Sequence, residues 1–336
     1  MSSTLKVLNE QELHALDHQY EFGLDVLVGF SEASKHLASK YLYDAKGSEI
    51  FNQITRLPEY YLTRSEIEIL TTYKNDISAT LVDETFNLIE LGPGEGLKTR
   101  LLVDQFQADR LKFIYIPIDI SRSAIKNLGD EFNKALPSLE IQAIVSDYFK
   151  GLKWLSLSSN KRNVVLFLGS TIGNLDLAGV KTFLFTLWEI LHDGDYLLIG
   201  FDLQKDIDIL LRAYNDSDGL TRDFNLNLLS RINHELGGNF NLNKFRHYPA
   251  YNVLTGAMES YLISEEKQTV YIKEVNQTFQ FEAWESIHTE SSNKYSLKEI
   301  EQLADTTGFS ITETFIDSKN YFVDSLWQVQ KSMHSI

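Results

Sequence analysis

Phe86-Asn87-Leu88-Ile89-Glu90-Leu91-Gly92-Pro93-Gly94-Glu95-Gly96 decides how this chain folds. Its first six residues make a short, mostly apolar run of the kind found in a strand covered on both faces. Three alternating glycines follow, which let the backbone turn tightly and come close to a ligand. A helix predicted over Leu97 to Phe106 would aim its free N–H groups at that turn. The same alternation recurs downstream. Phe113 to Ile118 predicts a second strand, followed by a helix from Ser121 to Leu136, and Ile141 to Val145 predicts a third. Val164 to Leu168 predicts a fourth, followed by a helix from Leu177 to Leu191, and Tyr196 to Gly200 a fifth. Strands alternating with helices give a doubly wound, mainly parallel sheet, which holds ligands at the carboxyl ends of its strands.

Either side of this core the pattern changes. Upstream, Gln11 to Tyr20, Gly47 to Ile54 and Ser65 to Tyr73 carry helical apolar spacing, with Pro58 breaking the path between the last two. From residue 205 to 294 the alternation stops. Two helical stretches there precede Met258 to Ser264 and Val270 to Val275, which read as paired strands in an inserted second domain. A helix from Leu297 to Thr307 and strands at Ile311 to Phe315 and Tyr321 to Gln328 would complete the sheet. The 336 residues exceed the usual size of one core, in keeping with a main domain and a smaller one.

Composition narrows the function. A net charge of −16, from 47 acidic and 31 basic residues, repels a phosphate backbone and argues against a nucleic-acid partner. No run of about 18 apolar residues is present, so no membrane span is expected. Met1 to Glu10 lacks the basic and apolar regions of a signal peptide, which makes the cytoplasm the expected location. A monomer is expected. With no cysteine, thiolate chemistry and disulfides are excluded. His14 and His18 lie one helical turn apart without a third ligand, so they read as a surface helix and no metal is expected. Gly-x-Ser-x-Gly, Walker and His-Glu-x-x-His motifs are absent.

The glycine spacing points to the ligand. A dinucleotide loop would run G-x-G-x-x-G to seat a pyrophosphate, which disfavours a nicotinamide dehydrogenase. Here the loop is G-x-G-x-G, with Glu90 two residues before Gly92, and Gly94 follows. That is the first motif of Rossmann-like methyltransferases, whose cofactor, S-adenosyl-L-methionine, has no phosphate and ends in an amino acid. Asp119, after the second strand, is placed to accept from both ribose hydroxyls, and Asp147, after the third, from the adenine amino group. Either could instead cap a helix or sit in a solvated turn.

Three further stretches carry a resemblance. They are Tyr43-Asp44-Ala45-Lys46-Gly47-Ser48 with Leu57-Pro58-Glu59-Tyr60-Tyr61-Leu62-Thr63-Arg64; Phe167-Leu168-Gly169-Ser170-Thr171-Ile172-Gly173-Asn174; and His288-Thr289-Glu290-Ser291-Ser292-Asn293-Lys294-Tyr295. Support comes from Ala213-Tyr214-Asn215-Asp216 with Phe224-Asn225, and from Phe245-Arg246-His247-Tyr248. As a set, over roughly Leu42 to Leu326, the chain resembles the histidine-specific Nα-methyltransferases that trimethylate histidine to hercynine in ergothioneine biosynthesis. Fungal relatives of those enzymes methylate tryptophan-derived amines.

The resemblance implies an α/β fold, a Rossmann-like class I methyltransferase sheet with a second α+β substrate-binding domain. The first would comprise residues 62–204 and 295–336, the second 1–61 and 205–294. It implies Gly92, Lys98, Asp119, Asp147 and Tyr148 around the cofactor, with Glu90 and Gly94 in the same loop. It puts Tyr60, Asn174, Tyr214, Glu290 and Ser292 around histidine, with Tyr43 and Gly169 close by. Asn174 and Tyr214 could donate to the substrate carboxylate without the desolvation cost of a buried cation. Glu290 and Ser292, two apart, share a face if extended and could hold an imidazole edge. Tyr43 or Tyr60, or water they hold, could assist loss of the amine proton. Plain alternatives stand beside these: Asn174 could cap the following helix, Tyr60 and Tyr214 could be core residues, and Glu290 could lie on a solvated strand face. Two departures are Pro93 with Glu95-Gly96, where the histidine enzymes commonly carry Ser and Thr-Ser, and Ser260, where a methionine is expected near the imidazole. A relative acting on tryptophan, or a binding protein without turnover, is the alternative reading.

Overall fold

The computed structural model describes residues 11–81, 85–158 and 161–331, with side chains from residue 19 onward apart from that of Ser158. Met1 to Glu10 and the side chains of His14 and His18 lie outside the described residues. In chain order come α1 (Gln11–Ser31), α2 (Ala45–Ile54), α3 (Tyr61–Thr80), β1 (Phe86–Leu91), α4 (Leu97–Ala108), β2 (Phe113–Asp119) and α5 (Arg122–Ala135). Then follow β3 (Ile144–Val145), α6 (Tyr148–Ser158), β4 (Arg162–Phe167), α7 (Leu177–Ile190), β5 (Tyr196–Asp202), α8 (Ile207–Ala213) and α9 (Leu220–Glu235). The remainder is β6 (Phe245–Asn252), β7 (Ala257–Ser264), β8 (Gln268–Ile272), β9 (Gln277–Phe281), β10 (Ser286–Asn293), α10 (Leu297–Thr306), β11 (Phe309–Ile316) and β12 (Phe322–Val329). Among the described residues no helix is long and apolar enough to cross a membrane.

The described chain divides into two compact units, one of Arg64–Leu203 with residues 295–331, the other of residues 11–63 with Gln204–Lys294. The first holds a seven-stranded sheet in the order β11-β12-β5-β4-β1-β2-β3. β1 pairs in parallel with β2 and β4, and β12 runs antiparallel to both β5 and β11. All six residues of β1 are buried because the strand is central and covered on both faces. Its one amide, Asn87, donates to Asn163 Oδ1 at 2.9 Å, and Asn163 donates to Asp195 at 2.9 Å, so these three buried side chains are linked in one hydrogen-bonded chain.

One local expectation fails here, and one helix was not foreseen. The third strand has only two residues, Ile144–Val145, with Ile141 reduced to an isolated bridge to Tyr115. The reason is local: the chain turns at once into α6, whose first N–H groups the Asp147 side chain caps. That helix is not apparent from apolar spacing.

The second unit carries a three-stranded antiparallel sheet, β10-β7-β6, and a two-stranded one, β8-β9. Residues 258–264 and 270–275 therefore do not pair with each other. Both edges of β7 are taken, by β6 and β10, while a tight turn at Lys273 to Asn276 folds β8 onto β9. Burial alternates along β7, the mark of a sheet with one covered face.

Candidate active site

In the first unit, the loop after β1 is built around glycine. Gly92 has φ of 70°, and a Cβ there would lie 2.5 Å from the Tyr148 hydroxyl. Gly96, at φ of 68°, occupies the N-cap of α4 with Leu128 and Phe132 packed against the place a Cβ would take. Side-chain-bearing residues fit neither conformation nor space. Glu90 is buried, and its two oxygens accept from the hydroxyls of Thr99 and Tyr115. Burial raises its pKa, opposed by those two hydrogen bonds and by the Lys98 charge. Its carboxyl therefore ties β1, α4 and β2 together beneath the loop.

Asp119 ends β2. Its carboxylate accepts from the Ser121 N–H at 2.7 Å, and burial raises its pKa above the usual carboxylate range. Asp147 Oδ1 accepts from the N–H of Phe149 at 3.0 Å. The Tyr148 hydroxyl is held far from ionisation, by burial first and then by the nearby charges of Asp119, Asp147 and Glu90. Lys98, in the first turn of α4, places its ammonium 2.6 Å from Glu66 Oε2, while Glu66 Oε1 accepts from the Gly169 N–H at 2.7 Å. Gly169 follows β4 and leads into a 3-10 turn, Thr171–Asn174. Ser170, at φ of 56°, locks that turn by accepting from the Asp202 N–H at 2.9 Å.

In the second unit, β10 lies beside β7 with Glu290 opposite Ser260 and Ser292 opposite Met258. The register slips between His288 and Glu290, so both Thr289 and Glu290 are buried. Thr289 is spent on Asn225 Oδ1 at 2.6 Å and the Ser260 carbonyl at 2.9 Å. Glu290 is only 9% exposed, and burial, opposed by the Lys294 charge, pushes its pKa up to about 7. Tyr214, just past α8, donates to Ser292 Oγ at 2.7 Å. The Lys294 ammonium, 3% exposed, donates to Ser292 Oγ at 2.7 Å and to Tyr214 Oη at 3.0 Å. The Ser260 hydroxyl is buried without a hydrogen-bond partner among the described residues. Tyr43 and Tyr60 meet in one aromatic cluster, each edge-on to Phe51, with centroids 5.3 Å and 6.0 Å away.

Comparison with known proteins places the chain in a family. A family model described as histidine-specific methyltransferase, SAM-dependent, matches residues 22–329. Histidine N-alpha-methyltransferases from Mycolicibacterium smegmatis and Mycobacterium tuberculosis are 40% and 36% identical over 271 residues, covering 81% of this chain and 83% of each relative. Ergothioneine biosynthesis protein 1 of Schizosaccharomyces pombe is 30% identical over 287 residues, 83% of this chain and 37% of that protein.

The chain belongs to the histidine-specific methyltransferase family.

It is thus an S-adenosylmethionine-dependent enzyme with a class I sheet, and its residues suit that cofactor. The glycine loop leaves room where a Cβ would strike Tyr148, and Asp119 offers a largely buried acceptor that ribose hydroxyls could satisfy. For this histidine-specific methyltransferase, several expectations shift in detail. Glu90 holds the loop through its neighbours, as both its oxygens are engaged. Asp147 does cap a helix. Asn174 does not: α7 is capped by Asp176, whose side chain accepts from the Gly179 N–H at 2.7 Å. Glu290 is no solvated strand residue. The expectation that Tyr214 works without a buried cation is corrected by Lys294, which bonds to it directly. Lys294 was legible in principle, since Glu290, Ser292 and Lys294 alternate along one extended segment. Glu66, missed as well, gives no comparable signal.

Proposed function

We propose that this chain transfers methyl groups from S-adenosyl-L-methionine to the α-amine of L-histidine, continuing to the Nα,Nα,Nα-trimethylated product, hercynine. The observation that carries the reading is the buried cluster of Glu290, Ser292, Lys294 and Tyr214, an acid and hydroxyls suited to an imidazole edge and an amino-acid head. In this reading Gly92, Gly94, Lys98, Asp119, Asp147 and Tyr148 hold the cofactor, and Glu90 shapes their loop. Glu290 and Ser292 take the imidazole, while Tyr60, Tyr214 and Asn174 take the amino-acid end beside Gly169. Residues 62–204 and 295–336 form the methyltransferase domain, and 1–61 with 205–294 the substrate-binding domain. A charge of −16 supports free histidine rather than nucleic acid as the partner, and we place the enzyme in the cytoplasm as a monomer.

When bound, the cofactor supplies a methyl group on a positively charged sulfur. The protein's task is then positional, because holding the nucleophile in line replaces a rare encounter with a bound near-attack geometry. The amine must be neutral to attack, and its proton leaves through the Tyr43 and Tyr60 hydroxyls or water they hold. Charge disperses as the methyl moves, so no strong base is required.

Incubation of the purified chain with histidine and S-adenosyl-L-methionine should give, by mass spectrometry, a product bearing three added methyl groups. Tryptophan at the same concentration should give little or none. Equal or faster methylation of tryptophan, or no methyl transfer despite cofactor binding, would overturn the reading.

Ionisation of Glu290 sets a pH dependence. With its pKa at about 7, the carboxyl is protonated below that pH and loses the negative charge that strengthens its hold on an imidazole N–H. Histidine kcat/KM should therefore rise as pH increases through 7. Glu290→Gln should lose this inflection while keeping those that belong to the substrate, and an unchanged profile would remove Glu290 from the imidazole site.

A further inference from the structure

We propose that Glu66 and Asp324 share a single proton between two buried carboxyls and so position the Lys98 ammonium for the amino-acid end of the cofactor. This rests on the reading that Lys98 belongs to the cofactor site. Glu66, on α3, is 1% exposed and Asp324, on β12, is 0% exposed. Asp324 sits opposite Gly200 of β5 in the sheet. The space over that glycine is filled by the two acids: a Cβ at Gly200 would lie 2.6 Å from Glu66 Oε1 and 3.1 Å from Asp324 Oδ1.

The donors are unevenly divided. Glu66 accepts from Lys98 at 2.6 Å and from the Gly169 N–H at 2.7 Å, whereas neither oxygen of Asp324 meets an N–H or O–H donor among the described residues. Two carboxylates in contact inside a protein cannot both remain ionised. Glu66, with its two donors, is the ionised member. Asp324 keeps the proton and donates it to Glu66, which removes the cost of leaving a buried carboxyl unpaired. Burial and then the Glu66 charge push the Asp324 pKa well above the ordinary range, with Lys98 opposing. Among the described residues, Glu90 feels both Lys98 and Glu66, and Asp202 lies two residues beyond Gly200 along β5.

One proton makes the set of Glu66, Asp324 and Lys98 electrically neutral. Its loss would leave two negative charges competing for one ammonium and draw Lys98 inward. Below the raised pKa of Asp324 the arrangement holds, and as pH climbs through that value it is lost.

The test is made on the full chain without substrate. Infrared difference spectra of the unliganded protein at pH 7, wild type minus Asp324→Asn, should show the carbonyl stretch of one protonated carboxyl, with the contribution of Glu290 cancelling between the two. Calorimetry with S-adenosylhomocysteine should show Glu66→Gln and Asp324→Ala weakening Kd about tenfold, the worth of one charge-assisted hydrogen bond. Asp324→Asn, whose amide can donate to Glu66 in place of the proton, should recover most of that loss. Wild-type Kd in Glu66→Gln, or no protonated-carboxyl band in the difference between wild type and Asp324→Asn, would overturn the proposal. Absence of any S-adenosylhomocysteine binding by the wild-type chain would overturn the cofactor reading instead, with the infrared result still deciding the pair.

Discussion

Replacing Glu290 by alanine should raise the histidine concentration needed for half-maximal rate roughly a hundredfold and leave the affinity for S-adenosylhomocysteine within about twofold. The size follows from what alanine leaves behind. An imidazole N–H held by a carboxylate in a buried site gains about 1.5–3 kcal/mol, and the same N–H buried without an acceptor loses its hydration as well. Glu290 lies on β10 opposite Ser260, and Lys294 is the cation whose field it feels. Alanine therefore also strands part of the Lys294 charge. Glu290→Gln separates the two effects, because it keeps the shape and one acceptor oxygen. It should show a smaller rise in KM, with Lys294 equally uncompensated. Thermal unfolding of both variants reports any general loss of structure. A histidine KM equal to that of the wild type in Glu290→Ala would remove the residue from the substrate site.

Asp119→Ala should show the converse pattern, with cofactor Kd rising about a hundredfold and histidine affinity little altered. Two ribose hydroxyls bonded to one carboxylate are each worth about 1.5–3 kcal/mol before overlap between them is discounted. In the unliganded protein Asp119 bears a desolvation cost, seen in its raised pKa, and its hydrogen bond goes to the nearby Ser121 N–H. Removing the carboxylate relieves that cost, so the variant should unfold no earlier than the wild type. Isothermal titration with S-adenosylhomocysteine measures the effect directly. An unchanged Kd would mean that the acid serves the turn after β2 and not the cofactor.

The sheet was legible because its strands are short apolar runs punctuated by glycine and followed by helical spacing, a local signal. β1 and its loop could be read residue by residue for that reason. β3 could not, since Asp147 ends the extended segment by capping a helix that apolar spacing alone did not reveal. The partner of β7 was misread because adjacency in the chain favours β8, whereas pairing is decided by which edges remain open. Among the candidate site residues, Glu290 and Ser292 could be placed on one face from their spacing. The bulge that buries Thr289 beside Glu290 could not be foreseen, and Thr289 turns out to be bonded to Asn225, 64 positions earlier.

By itself, the sequence determined the alternating strand–helix order, the glycine turn with its flanking acids, and, through resemblance, the family. These depend on neighbours within a few positions, where residue type and spacing dictate conformation. Only the tertiary structure decided which polar groups meet: Lys294 with Tyr214, Glu90 with Tyr115, and Glu66 with Asp324 across the breadth of the chain. Charge states in the interior follow from those encounters, because desolvation and a single neighbouring charge outweigh anything a side chain's identity specifies.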